Sequence, residues 1–224
     1  ENIAATITVY TLSDRKTLTV NAQTISKLTT TLEYKGADGY AVDHANMNAT
    51  DLFQVRDQNG ALVASPAITL SSSNTDAINT VSSNTAIDFL CGANNVRITA
   101  SYAGDETYAA ASNSGTFYHD INVTKLAQTV SWHASWLDGD TIHVWADNEL
   151  PKGIATANTR VWYGSGDTDI LEVTNGESIE GTTLVTKRHG LVTLSAVAET
   201  SCTYAESPSS LRYVRVEPCE HRIV

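Results

Sequence analysis

Carboxylates in loop-like segments are the groups in this chain best suited to bind a metal ion. They occur in pairs within GADGYAVDH, WLDGDT and GSGDTD, as Asp38 and Asp43, Asp138 and Asp140, and Asp167 and Asp169. Hard oxygen ligands of this kind can hold Ca²⁺, so calcium between domains is possible. None of the segments has EF-hand spacing, and Asp is also an ordinary β-turn residue because its side chain bonds nearby backbone amides. Turn formation is therefore the favoured interpretation, and no cofactor is predicted.

Two histidines offer a weaker metal hypothesis. His133 and His143 fall on neighbouring predicted strands, but no third ligand is evident. Surface histidine is the favoured interpretation.

The three cysteines, Cys91, Cys202 and Cys219, have no CxxC or other metal-binding spacing. Their odd number excludes complete pairing within the chain. Cys202 and Cys219 flank a predicted strand of roughly eight residues at about 3.3 Å each, whereas bonded cysteines have Cα atoms within about 7 Å. No bond between these two is expected, and the isolation of all three suggests small buried hydrophobic residues.

Sequence motifs of the common enzyme classes are absent. The chain contains no GxSxG, HExxH or Walker motif, and no GxGxxG following a strand. The spaced glycines of YGSGDTD lead into a strand, so no helix N-terminus would hold a phosphate there. We predict no catalytic residues and no enzymatic activity.

Aromatic residues give the one indication of recognition. Strand alternation in DTIHVWA directs His143 and Trp145 outward, and alternation in TRVWYG does the same for Trp162. Exposed tryptophans are common anchors for sugars or proteins, so these three residues are the candidate partner-binding residues. The alternative is that a neighbouring domain, a strand edge or a loop covers them. Trp132 is predicted to lie in a core.

Charge excludes several partners. The net charge is −11 and only 17% of residues are charged, so no basic patch is available to bind nucleic acid or anionic lipid. No apolar run reaches the ~18 residues of a membrane span. The chain opens at Glu1 without a signal peptide, and we expect it to be a piece of a longer exported protein.

A repeat organises the chain. SYAGDETYAAAS (101–112) is similar to AVAETSCTYAES (196–207), and aligning Tyr108 with Tyr204 places VRITASYA on VTLSAVAE. Both segments alternate apolar and polar residues with period two, which is typical of a strand with one buried face. Each tyrosine is predicted to pack across the open end of its own β-sandwich.

The remaining segments predict an all-β fold. Short strand-like runs are separated by turn residues, and QNGA at 58–61 predicts a hairpin with a type I′ turn. We predict two β-sandwiches, 1–126 and 127–224, joined by a short linker near Lys125 to Ala127. YKGADGYAVDHANMNATD is predicted to be an insertion or elaborated loop in the first sandwich.

The segments GLVTLSAVAETSCTYAESPSS and VRITASYAGDETYAAASNS resemble the closing strands of bacterial immunoglobulin-like domains. These are tandem modules of bacterial surface proteins, including the invasin/intimin-like and Bacteroidetes types. The resemblance covers 128–216 and 67–123. It implies tandem immunoglobulin-like sandwiches, neighbouring domains as partners, and export to the bacterial cell surface.

The function expected from these features is a structural spacer or adhesion-stalk segment. The alternatives are a module that binds a glycan or a host protein through outward aromatics, and an accessory domain of a secreted carbohydrate-active enzyme.

Overall fold

The computed structural model describes residues 2–3, 6–10, 15–19, 23–24, 26–111, 116–132, 141–144, 153–155, 157, 159–174, 176–178 and 183–218. Its elements up to residue 124 are β1 Asn2–Ile3, β2 Thr6–Tyr10, β3 Arg15–Thr19, β4 Gln23–Thr24, β5 Leu28–Tyr34, β6 Gly39–Ala41, β7 Met47–Asn48, α1 Ala49–Leu52, β8 Phe53–Asp57, β9 Ile68–Ser72, β10 Ile78–Val81, β11 Ala86–Phe89, β12 Ala93–Tyr102, β13 Tyr108–Ala111 and β14 Thr116–Thr124.

The elements that follow are also strands: β15 Val130–Trp132, β16 Thr141–Val144, β17 Gly153–Ala155, β18 Val161–Ser165, β19 Leu171–Val173, β20 Glu177–Ser178, β21 Leu184–Thr186, β22 Gly190–Ala198 and β23 Ser210–Val216. The chain is all-β, as predicted, and α1 is a single helical turn.

In the central strands of both halves, buried and more exposed side chains alternate with period two. In β12 the side chains of Val96, Ile98 and Ala100 are buried, whereas Arg97 between them is exposed. In β22 alternate residues from Val192 to Ala198 are buried in the same way. Burial of one face per strand is the hydrophobic contribution that holds each sheet to its neighbour.

The first sandwich packs a four-stranded sheet of order β6-β14-β12-β9 against a three-stranded sheet of order β13-β5-β8. A smaller sheet, β10-β11-β7, completes it. The core between the sheets includes Leu32, Val55, Ile98 and Ile121, each no more than 3% exposed.

The second sandwich is built on a five-stranded sheet of order β16-β23-β22-β18-β20. The pairs β15-β17 and β19-β21 lie in the same half of the chain. Its separate core includes Trp132, Leu171, Leu194 and Val214, so Trp132 is a core residue as predicted. The predicted boundary at 126 and 127 falls between the two cores.

Strands before residue 26 pair with one another among the described residues. β1 pairs with β4, and β2 pairs with β3. The first core starts only at Leu32.

The hairpin predicted at QNGA is present, but its turn type differs from the prediction. Asp57 N donates to Ala61 O (2.9 Å) and Gly60 N donates to Asp57 O (2.9 Å). Among the central residues only Gly60 has a positive φ, +81°, whereas a type I′ turn needs two. The Asp57 carboxylate accepts hydrogen bonds from Asn59 N and Ala61 N, which favours the three-residue loop over the tighter turn.

The predicted insertion is integrated into the first sandwich. β6 adds to the four-stranded sheet by pairing in parallel with β14. β7 pairs with β11, and α1 directly follows β7, with Leu52 fully buried. The segment is therefore part of the fold and not a detached loop.

Candidate functional site at the junction of the two sandwiches

The junction begins with backbone pairing between the linker and the second sandwich. Leu126 N donates to Thr203 O (2.8 Å), and Ala205 N donates to Leu126 O (2.8 Å). These bonds form a parallel bridge between Leu126 and Tyr204. The chain leaving the first sandwich is thus already part of the second.

The first sandwich has the same arrangement at its own entry. Leu28 N donates to Thr107 O (3.0 Å), and β13 pairs in parallel with β5 through Tyr108 and Leu28. The Lys-Leu pair at 27–28 therefore corresponds to the Lys-Leu pair at 125–126. The sequence repeat around Tyr108 and Tyr204 supplies a docking strand for the entering chain.

The loop before each docking tyrosine closes in the same way. Asp105 N donates to Tyr108 O (2.9 Å), and Ser201 N donates to Tyr204 O (2.9 Å). The Asp105 carboxylate accepts a hydrogen bond from Tyr108 N, and the Ser201 hydroxyl accepts one from Tyr204 N (3.0 Å). A carboxylate and a hydroxyl therefore close equivalent turns.

Hydrogen bonding in the first of these loops affects two ionisable groups. The backbone amide of Tyr108 is the main cause of a lowered pKa at Asp105, with Thr107 N and the Tyr102 hydroxyl contributing. Burial is the main cause that raises the pKa of Tyr102 to about 12, and its hydroxyl donates to the Asp105 carboxylate (2.9 Å). Asp105 therefore acts as an ionised turn-closing residue at neutral pH.

The predicted role of the two tyrosine rings is supported in only one copy. Tyr108 is partly buried and packs against the first core. Tyr204 is half-buried, and the partly buried hydrophobic residues packed on the second core among the described residues are Ile170 and Val173. Among the described residues, the contacts of Tyr204 with the entering chain are therefore made by its backbone, and packing of its ring on the second core stays a prediction.

A disulfide crosses the junction. Cys91, in the turn before β12, is bonded to Cys202, in the loop after β22; their Cα atoms are 4.8 Å apart and the sequence separation is 111 residues. Gly92 N donates to Cys202 O (2.9 Å), and Lys125 Nζ donates to the Thr200 hydroxyl (2.8 Å). The junction is therefore held covalently and by hydrogen bonds from both sides.

The interpretation of the cysteines as isolated buried hydrophobic residues is wrong for Cys91 and Cys202. Cys202 is exposed and Cys91 is half-buried. The pairing follows from the docking of one module on the next, a contact that no local cysteine spacing encodes. Since Cys202 is bonded to Cys91, it does not pair with Cys219, as expected; Cys219 lies outside the described residues.

A buried glutamine fixes the entering strand in the second sandwich. The Gln128 side chain, 3% exposed, donates to Glu199 O (2.8 Å) and Ala205 O (2.6 Å). Its amide oxygen accepts a hydrogen bond from the Thr159 hydroxyl (2.7 Å). At the equivalent place in the first sandwich, the Thr30 hydroxyl donates to Ala109 O (2.9 Å). One buried amide thus connects three segments at the junction.

The candidate partner-binding residues are not brought together by the described structure. Trp162 is exposed on β18, and His143 lies on β16, three strands away, with β23 and β22 between them. Three strand spacings correspond to about 14 Å. Trp145 lies outside the described residues. Their role in partner binding stays a prediction.

The candidate calcium ligands in described segments take part in turns and pairs. The Asp167 carboxylate accepts a hydrogen bond from Asp169 N (2.9 Å), as Asn74 does from Asp76 N (3.2 Å). GSGDTDIL (164–171) and SSSNTDAI (71–78) are thus a second repeated turn that the sequence comparison missed. Asp38 contacts His119 Nε2 (2.8 Å).

Among the described residues, no group of three or more His, Cys, Asp or Glu side chains is arranged to hold a metal ion. The candidate calcium ligands Asp138 and Asp140, and the candidate His133, lie outside the described residues. The only described helix, α1, has four residues, and no described helix is long and apolar enough to cross a membrane.

No protein-family model matches the chain, and no curated protein matches it significantly. Several solved structures match at low identity. The S-layer protein rSbsC(31-844) matches 92% of this chain at 11% identity and a TM-score of 0.32. The structure of domains 4 and 5 of the S-layer protein SbsC matches at 13% identity and a TM-score of 0.30. The match covers 85% of this chain and 99% of the SbsC chain. The structure of EC1-2 of human protocadherin-24 matches at 8% identity and a TM-score of 0.31. The match covers 84% of this chain and 97% of the protocadherin chain.

The chain spans 30% of the length of the first two S-layer structures that it matches. Because the identities and TM-scores are low, we infer function from this chain's own residues.

Replacing Gln128 tests whether its amide holds the junction. We expect Gln128→Ala to lower the free energy of unfolding of the second sandwich by about 2–3 kcal/mol, because the partly buried carbonyls of Glu199 and Ala205 lose their donor. Chemical denaturation followed by tryptophan fluorescence measures the change, since all four tryptophans lie in the second half of the chain. Gln54→Ala is the control: Gln54 is a half-buried residue of β8 in the first sandwich, and its amide donates to the Glu33 carboxylate (2.8 Å). It should change the unfolding free energy of the second sandwich by less than about 0.5 kcal/mol. Equal effects of the two substitutions would contradict the assigned role.

Proposed function

We propose that this chain is a non-catalytic spacer or adhesion-stalk segment of a larger exported bacterial surface protein. The observation that supports this most directly is the junction, where strand pairing and the Cys91–Cys202 disulfide fix one sandwich to the next. A segment that only connected two independent domains would need neither.

The path of the chain supports an extended segment. The chain enters the first sandwich at Leu28, beside Tyr108 and near the Tyr102 end of β12. It leaves through β14, whose Val123 pairs with Ala93 at the other end of β12. Ten residues of strand separate these ends, about 33 Å at the usual rise per residue. Each sandwich therefore adds its length to the segment.

The disulfide and the charge agree with an exported location. Structural disulfides form and persist in oxidising compartments outside the cytosol. The net charge of −11 favours solubility and opposes nonspecific association between like-charged copies. Both are properties that a surface spacer needs.

The outer face of the five-stranded sheet favours a second candidate function. Trp162, Leu191, Leu211 and Tyr213 lie on it and are each between 46% and 55% exposed. On the corresponding face of the first sandwich, Arg97 pairs with Asp120 (2.9 Å) and stacks on Tyr118. Only the second sandwich thus presents an apolar outer face among the described residues, and it suits recognition of a glycan or a host protein.

A glycan-array screen of the whole chain, with and without calcium, tests the second function. Binding that Trp162→Ala abolishes and that Tyr118→Ala leaves unchanged would support recognition on this face. A silent array would count against glycan binding there.

Pulling the chain from its two ends tests the spacer function. We expect stepwise unfolding at high force in single-molecule force spectroscopy, because both sandwiches lie in the line of force. The disulfide shields the segment between its cysteines, whose sequence separation is 111, from extension. A reducing agent should therefore add about 370–400 Å of contour length, at about 3.3–3.6 Å per residue.

Cys91→Ser with Cys202→Ser should give the longer extension without reductant, and Cys219→Ser should behave like the unaltered chain. Smooth extension at low force, without unfolding steps, would contradict the spacer function.

A further inference from the structure

The internal junction is formed by two surfaces that recur at the ends of the pair. We call residues 90–92 and 187–189 the exit turns, and residues 103–107 and 199–203 the entry loops. In the junction, the exit turn of the first sandwich contacts the entry loop of the second through Cys91–Cys202 and Gly92 N to Cys202 O.

The first exit turn is defined by its hydrogen bonds to a single carbonyl. Leu90 N (2.8 Å) and Cys91 N (3.3 Å) both donate to Ala77 O. This carbonyl belongs to the repeated SSSNTDAI turn described above.

The second exit turn repeats this pattern. Lys187 N (2.9 Å) and Arg188 N (3.3 Å) both donate to Ile170 O, in the GSGDTDIL copy of the same turn. Arg188 therefore occupies the place in the second sandwich that Cys91 occupies in the first. Lys187 is paired with Glu172 (2.7 Å), whereas Arg188 is exposed and has no ion pair among the described residues.

The entry loops correspond in the same way. Asp105 and Ser201 close equivalent turns, so the next residue, Glu106, occupies the place of Cys202. Glu106 is exposed and also lacks an ion pair among the described residues. The two equivalent surfaces outside the internal junction thus present an arginine and a glutamate where the internal junction has two bonded cysteines.

We propose that the exit turn of the second sandwich binds the entry loop of a second copy of this chain, head to tail, with Arg188 of one copy paired to Glu106 of the other. The proposal rests on the spacer function and adds how successive segments contact one another. An ion pair between exposed residues contributes little by itself, so the backbone contact equivalent to Gly92 N to Cys202 O is part of the interface. In this interface a reversible ion pair takes the place of the disulfide. The contact between two copies is therefore weaker than the internal junction between the two sandwiches of one copy.

Cysteine cross-linking tests the geometry. In a Cys219→Ser background, Glu106→Cys with Arg188→Cys places a cysteine pair at the two positions equivalent to Cys202 and Cys91. Under mild oxidation we expect a ladder of disulfide-linked oligomers on non-reducing gels, with peptide mapping that shows bonds between positions 106 and 188. The matched control combines Glu106→Cys with Leu211→Cys, on the outer face of the sheet.

The ladder should form at least about tenfold faster in the matched pair than in the control, because docking raises the effective concentration of the two thiols. Equal rates, or bonds mainly between like positions, would overturn the proposal. The native Cys91–Cys202 bond, followed in the same peptide maps, confirms that both variants keep the internal junction.

Charge reversal tests the ion pair without cysteines. Arg188→Glu should weaken concentration-dependent association in sedimentation velocity at low salt, because the pair becomes repulsive, and Arg188→Glu with Glu106→Arg should restore it. Association that Arg188→Glu leaves unchanged would overturn the proposal. Failure here leaves the pulling experiment unaffected, because that experiment depends on Cys91 and Cys202 and not on Arg188 or Glu106.

Discussion

Parallel pairing between an entering strand and the loop before the last strand is the interaction on which the rest of the structure depends. It occurs between Leu28 and Tyr108 and again between Leu126 and Tyr204. Because Leu126 directly follows the last residues of the first sandwich, the same few backbone bonds complete one sandwich and hold the next. The linker therefore has little freedom to bend.

The disulfide strengthens a contact that the backbone already makes. Gly92 N reaches Cys202 O beside the bonded sulfurs, and Gln128 fixes the strand from inside the second sandwich. The chain-entropy model assigns about 4–5 kcal/mol to closing a loop of about 100 residues. Opening the junction therefore requires breaking a covalent bond, the backbone hydrogen bond beside it and the hydrogen bonds of Gln128. Such a junction suits a segment that bears load.

The strands could be predicted from the sequence, because burial of one sheet face imposes period two on residues such as Val96, Ile98 and Ala100. The repeat around Tyr108 and Tyr204 was visible, but its role was not, because the partner strand lies about 80 residues away in the sequence. The disulfide could not be predicted, since Cys91 and Cys202 belong to different modules and meet only when both have folded. The alignment places Asp105 on Ser201, but their shared role in closing the turn was not evident from the sequence because one residue uses a carboxylate and the other a hydroxyl.

The most direct test of the central claim is the distance between the two sandwiches. Spin labels at Tyr118→Cys and Tyr213→Cys, in a Cys219→Ser background, report it by double electron–electron resonance. If strand pairing and the disulfide fix the junction, the intact chain should give one narrow distance distribution. Cys91→Ser with Cys202→Ser and Leu126→Pro, which removes the amide donor, should broaden it. A broad distribution in the intact chain would show that the sandwiches move independently and would contradict the account.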